Sequence, residues 1–168
     1  DSLDLTGLML KANKKFGALS YHQRAFIRKI PSKNYFLFDA IAEQIPPISR
    51  LGTSYYLIPH LTPTKVPTFY RVVAPFDSTI INVNGKYIRL DQGEFYEVFT
   101  DSIIVAYSDK PFLVAEFDQI SDDRAKEDNS VGDVSQQFVL PIALYDSSYT
   151  FYAPKLQSLS QHFVNIII

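Results

Sequence analysis

The stretch IPPISRLGTSYYLIP at residues 45–59 returns, altered but in step, as LPIALYDSSYTFYAP at residues 140–154. At a shift of 95 positions Pro46 falls on Pro141 and Pro59 on Pro154. Between each pair of prolines lies a tyrosine-rich run, Tyr55-Tyr56 in one and Thr150-Phe151-Tyr152 in the other. Two more blocks keep the same order. ANKKFGALSY from Ala12 matches SDKPFLVAEF from Ser108 at a shift of 96, and TFYRVVA from Thr68 matches HFVNIII from His162 at 94. Self-similarity at one period constrains a fold more than local propensity does, because each copy must form the same supersecondary unit, here of about 95 residues. The drifting offset implies small loop insertions.

What kind of unit follows from composition. Thirteen Phe, eleven Tyr and ten Pro in 168 residues favour many short strands over helices. In STIINVNGKYIRL, Asn84-Gly85 supplies two residues that tolerate positive φ, which predicts a two-residue hairpin turn. GEFYEVF alternates and predicts a strand, DSIIVAYS and PFLVAEF predict two buried strands, and FDAIAEQ allows a short helical turn until Pro46 and Pro47 stop it. The fold class expected is all-β, a tandem of antiparallel β-sandwich units. Residues 1–62 form the later part of a first unit, 63–154 a second, and 155–168 the first strand of a further unit or a closing edge strand. The prolines fall at strand ends, where a missing N–H does little harm.

Charge removes several function classes. Sixteen basic and eighteen acidic residues nearly cancel, so no global field draws in nucleic acid or an anionic membrane surface. No apolar run reaches the roughly 20 residues of a membrane-spanning helix. With no cysteine there is no disulfide, thiolate metal site or thiol catalysis. No Asn-x-Ser/Thr acceptor is present, and the abrupt ends suggest a piece of something longer.

The blocks in chain order, FDAIAEQIPPISRLGTSYYLIPHL, YRVVAPFDSTIINVNG, LDQGEFYEVF, SDKPFLVAEF and VGDVSQQFVLPIALYDSSYTFYAP, resemble the N-terminal domain family of the IgG Fc-binding protein of mucus. The most specific parts are Glu43 to Pro47, Ser108 to Pro111 and Gly132-Asp133, and the resemblance covers residues 5–168. It implies an extracellular, secreted or cell-surface setting and protein partners. The chain departs from the family where Phe38 precedes Asp39 in place of a Cys, and where Pro141-Ile142 stands for a second Pro-Pro.

Local chemistry adds little. His22, His60 and His162 lack the paired spacing of a metal site and read as surface or turn histidines. No nucleophile elbow, glycine-rich phosphate loop or local carboxylate pair marks an enzyme. Residues 115–133 carry seven acids, Asp122 and Asp123 among them. Such oxygens suit calcium, but their spacing is not that of the twelve-residue loop, and a solvated connection is the simpler reading. No cofactor is expected beyond that calcium option. The matching connection in the first unit is basic, with Arg28 and Lys29, so the two loops could attract one another between units or molecules. Tyr55, Tyr56, Tyr149 and Tyr152 are candidates for a partner-binding surface if they face outward. The function expected is a non-enzymatic structural and adhesive module that binds extracellular proteins or glycoproteins or itself. The alternative is a glycan-binding sandwich.

Overall fold

A computed structural model describes residues 4–25, 27, 39–60, 67–118, 134–151 and 166. Among them every long element is a strand, and every pairing is antiparallel. The strands are β1 (Leu19–Ala25), β2 (Asp39–Gln44), β3 (Gly52–Leu57), β4 (Thr68–Val73), β5 (Thr79–Val83), β6 (Lys86–Leu90), β7 (Phe95–Thr100), β8 (Ile104–Asp118) and β9 (Ser135–Phe138). Two 3-10 turns, Ile48–Arg50 and Ile142–Leu144, follow β2 and β9. β1 and β2 form a two-stranded sheet. The other strands form a larger, curled one with β6, β5, β8, β4 and β7 in that order, while β3 and β9 also pair with β8.

The β5–β6 turn is the predicted one. Asn84 and Gly85 sit at φ 50° and 86°, and Val83 pairs with Lys86 across them. β7 also lies where alternation placed it and pairs in register with β4 from Thr68↔Thr100 to Val73↔Phe95. Two expectations need correction. The helical turn over FDAIAEQ is strand β2, because pairing with β1 from Leu19↔Gln44 to His22↔Ile41 outweighs the weak helix preference of Ala and Glu. The two strands expected on either side of Ser108 to Pro111 are one strand of 15 residues, kinked there.

That kink lets β8 serve two groups of neighbours. Its first half pairs with β3 and β5 and its second half with β4 and β9. At the kink the register slips from Ser54↔Tyr107 to Gly52↔Phe112, so the missing N–H of Pro111 falls in an irregular stretch. Asp109 accepts from Ile80 N at 2.8 Å, and Lys110 Nζ donates to Asp77 O at 2.6 Å, fixing the bend from both sides. Strands that bend at bulges in this way make the corners of curled and sandwiched sheets.

Inside the curl, alternate positions of each strand meet: Tyr55 and Leu57, Tyr70 and Val72, Ile81, Phe112 and Val114 are fully buried. Each such side chain contributes about 1.5–3 kcal/mol through burial. Tyr55 and Phe112 meet edge to face at 4.7 Å. The Tyr55 hydroxyl donates to Phe112 O at 2.6 Å and accepts from Gly52 N at 3.0 Å, locking β3 to β8 across the kink.

The sequence repeat has a geometric counterpart. The β1–β2 pairs Leu19↔Gln44, Ser20↔Glu43, Tyr21↔Ala42 and His22↔Ile41 match the β8–β9 pairs Ala115↔Phe138, Glu116↔Gln137, Phe117↔Gln136 and Asp118↔Ser135. The shift is 96 on one strand and 94 on the other. Pro47 (φ −66°, ψ 150°) and Pro141 (φ −67°, ψ 150°) then introduce the two 3-10 turns in one conformation. Pro141 is therefore the counterpart of Pro47 rather than of Pro46, and Tyr149 rather than Thr150 is the counterpart of Tyr55. Strand pairing runs across the unit boundary expected at residue 62, since β3 belongs to the sheet of β4–β8. Of the segment 155–168, the proposed further strand, only Ile166 is among the described residues.

Candidate functional site

At the end of β8 the interior turns polar. Alternation carries Glu116 and Asp118 onto the face already used by Phe112 and Val114, and Glu116 is buried there. His60, three residues beyond β3, meets them; its backbone N–H donates to Thr68 Oγ1 at 3.1 Å. Its Nδ1 lies 2.6 Å from Asp118 Oδ1 and its Nε2 3.5 Å from Glu116 Oε1. β9 completes the cluster: Ser135 Oγ donates to Asp118 Oδ2 at 2.5 Å and Gln137 Nε2 to Glu116 Oε2 at 2.9 Å.

The hydrogen bond to Asp118 raises the His60 pKa most; burial opposes it, and the charges of Asp118 and Glu116 add to the rise. Burial lifts the Glu116 carboxyl above the usual range, with the His60 charge pulling the other way. Tyr70 stands opposite Glu116 in the β4–β8 register, and burial, then the Glu116 charge, drives its phenol far up. Tyr70 OH and Glu116 Oε1 are buried without a hydrogen bond of ordinary geometry.

The ligand atoms of His60, Glu116 and Asp118 lie within 4.8 Å of one another, close enough to surround a cation. In the present arrangement His60 is committed to Asp118. Two ligands of a tetrahedral zinc stand roughly 3.3 Å apart, wider than the 2.6 Å hydrogen-bonded contact seen here. Nor is this a hydrolytic triad, because the Ser135 hydroxyl points to Asp118 and not to the imidazole that would take its proton. The cluster is a clasp that joins β8, β9 and the chain beyond β3.

A second feature lies on the outer face of the sheet. Tyr87 of β6 and Tyr107 of β8 stand on either side of Asn82 of β5, and their hydroxyls meet at 3.4 Å, which raises the Tyr107 phenol. Ile80, Ile103 and Val105 are also exposed. Asn82 Oδ1 accepts from Gly85 N at 2.9 Å, which ties the middle of this row to the tight hairpin.

The candidates from sequence separate sharply. Tyr55 is a core residue with no exposed surface, so it is removed from the partner-binding set: alternation turned it inward and its hydroxyl is used up on the backbone. Tyr56 is half-buried and faces Tyr145 at 6.4 Å, and Tyr145 is raised by burial and then by its nearness to Tyr149 and Tyr56. Tyr56 and Tyr149 thus come together around Tyr145, and Tyr149 is exposed. Tyr152, Asp122, Asp123, Arg28 and Lys29 lie outside the described residues, and with them residues 119–133 of the acidic stretch offered to calcium. The reading of His60 as a surface histidine is corrected by its half-buried place between two acids. Glu116 and Asp118 are among the seven acids of residues 115–133, but sequence reasoning missed their meeting with His60, although their spacing of two within a strand puts both on one face. It also missed Tyr87 and Tyr107.

Among the described residues no helix is long and apolar enough to cross a membrane. A family model described as IgGFc binding protein matches residues 1–168, the whole chain. Neither a curated protein nor a solved structure matches it.

Proposed function

The chain belongs to the IgGFc-binding protein family, and from that premise we propose that it is a structural and adhesive module. It works without catalysis outside the cell, holding protein partners in a matrix, mucus or surface assembly. Membership over the full chain is the observation that carries this reading. The surface supports it: Tyr87, Tyr107, Ile80 and Val105 give an exposed, partly aromatic face braced by the β5–β6 hairpin. Tyrosine offers contact area at low entropic cost and a hydroxyl for orientation, which is why it dominates binding hot spots. Tandem repetition of the unit would multiply such contacts and space them rigidly.

A glycan-binding sandwich is the second reading. The observation that favours it is the same row, since tyrosine rings flank Asn82 and Arg89 sits across from Ile80 in the next strand. One experiment separates the two. The chain is immobilised, exposed to secreted and surface fractions of its own organism, and captured molecules are identified by mass spectrometry, with Tyr87→Ala/Tyr107→Ala in parallel. Capture that the double substitution removes supports the face. Competition by a free sugar turns the assignment to glycan, and capture unchanged by the substitutions overturns it.

A further inference from the structure

The second copy of the repeated device is complete except for its partner. In the first copy, β2, Pro47 and a 3-10 turn lead into β3, where Gly52 N donates to the Tyr55 hydroxyl at 3.0 Å. In the second, β9, Pro141 and a 3-10 turn lead into residues 145–151, where Asp146 N donates to the Tyr149 hydroxyl at 2.7 Å. Tyrosine turns back onto the N–H three residues earlier in both. The difference is outside the segment. Tyr55 and Leu57 are 0% exposed against β8, whereas Tyr149 and Phe151, at the same positions, are 63% and 72% exposed, and no described strand lies beside them.

The missing partner also has a counterpart. At the shift of 96 the first half of β8 corresponds to residues 8–16, so Ile104, Ala106 and Phe112 become Leu8, Leu10 and Phe16. All three are apolar and more than half exposed, and no described strand pairs with them. The β3–β8 register can be carried across residue by residue. Gly52↔Phe112, Tyr55↔Ala106 and Leu57↔Ile104 become Asp146↔Phe16, Tyr149↔Leu10 and Phe151↔Leu8. Tyr149 then meets Leu10 and Phe151 meets Leu8, while Phe16, opposite Asp146, lies against the Tyr149 ring as Phe112 lies against that of Tyr55, and Phe16 O takes the place of Phe112 O as acceptor for the tyrosine hydroxyl.

We propose that residues 145–151 of one copy add as a strand to residues 8–16 of a second copy, joining units head to tail as β3 joins β8. This deepens the adhesive reading above by naming the partner as another copy of the same unit. The two halves of the joint differ, so the contact is heterologous and adds copies in an open series rather than closing into a symmetric dimer. Main-chain pairing supplies the affinity and the alternate apolar side chains fix the register. A joint of one strand pair is small and belongs with weak interfaces, below about 1,200 Å².

The test is sedimentation of the 168-residue chain at rising concentration, beside Phe151→Pro in one half of the joint and Leu10→Pro in the other, the counterparts of Leu57 and Ala106, whose backbone groups face each other across β3 and β8. Proline in either strand removes a donor and blocks pairing. The wild-type chain is expected to form a growing series of oligomers and each variant alone to stay monomeric. An equimolar mixture of the two should stop at dimers, since only one intact joint remains. Tyr149→Phe should weaken assembly by about three- to ten-fold, the worth of one hydrogen bond. Both prolines fall in exposed segments, and unchanged unfolding midpoints verify that the variants are folded. A wild-type chain that stays monomeric, or assembly that survives either proline, overturns the joint. A monomeric chain that still captures other proteins through Tyr87 and Tyr107 sinks the joint and leaves the binding reading standing; the reverse pattern separates them the other way.

Discussion

Tyr55 and Tyr149 occupy the same place in two copies of one local device, and one is core while the other is surface. The chain around them is alike: strand, proline at ψ 150°, 3-10 turn, and a hydroxyl folded back on the N–H three residues earlier. Local sequence therefore writes the conformation of the segment, whereas burial is decided by whether a β8-type strand stands beside it. The acids at the end of β8 extend the contrast. Glu116, Asp118, Gln137 and Ser135 have as counterparts Ser20, His22, Glu43 and Ile41, so the buried clasp exists in the second copy alone.

The comparison can be broken most forcefully at the phenylalanines. Phe112→Ala should cost about 3–5 kcal/mol in denaturant unfolding, as emptied aromatic core sites do. Its counterpart Phe16→Ala, at an exposed position, should stay within about 0.5 kcal/mol. Equal effects would mean that residues 8–16 are already packed within the single chain.

Next comes Gly52. A Cβ there would stand 2.3 Å from Pro141 Cβ, so Gly52→Ala should destabilise by about 1–3 kcal/mol through overpacking. Its counterpart Asp146 already carries a side chain, and Asp146→Ala should leave the unfolding midpoint almost unmoved. The hydroxyls sharpen the same contrast. Tyr55→Phe strands the buried Gly52 N–H and Phe112 carbonyl at a cost of about 1–3 kcal/mol, while Tyr149→Phe changes monomer stability by less than about 0.5 kcal/mol.

The smallest effect is the pH dependence of the clasp. His60 has its pKa raised by Asp118, so its contribution is fully present below the ordinary histidine value and is lost as pH rises through the raised one. Glu116 is raised by burial, so ionising it in the folded chain also lowers stability as pH rises above the ordinary carboxylate range. Both groups predict an unfolding midpoint that declines from mildly acidic to mildly alkaline conditions. His60→Gln should flatten the upper part of that decline.

Much of the fold was legible because it depends on neighbours in the chain. Asn84-Gly85 can turn in few ways, and the alternation of Phe95 to Thr100 is a one-dimensional signal. The matching sequence blocks were legible too, although their offset around the prolines needed the backbone angles of Pro47 and Pro141. What escaped depends on contacts distant in sequence. Ser108 to Pro111 reads as a turn unless β3 and β4 are known to grip the two sides of one bent strand. FDAIAEQ reads as helical until β1 is placed beside it. His60 looked isolated because its partners lie more than fifty positions away. Tyr55 seemed as available as Tyr56, since periodicity says which residues share a face and not which face is wet.

β8 touches β3, β5, β4 and β9, and no other strand among the described residues pairs with so many. Neither half of the sheet can peel away without breaking this one strand's hydrogen bonds. In hydrogen-exchange terms, the amides of β8 should have no local opening route and should exchange only through global unfolding, while β1 and β2 exchange sooner through a smaller opening of their own. The larger sheet built in this way yields all at once rather than strand by strand, whereas the β1–β2 pair can part from it first.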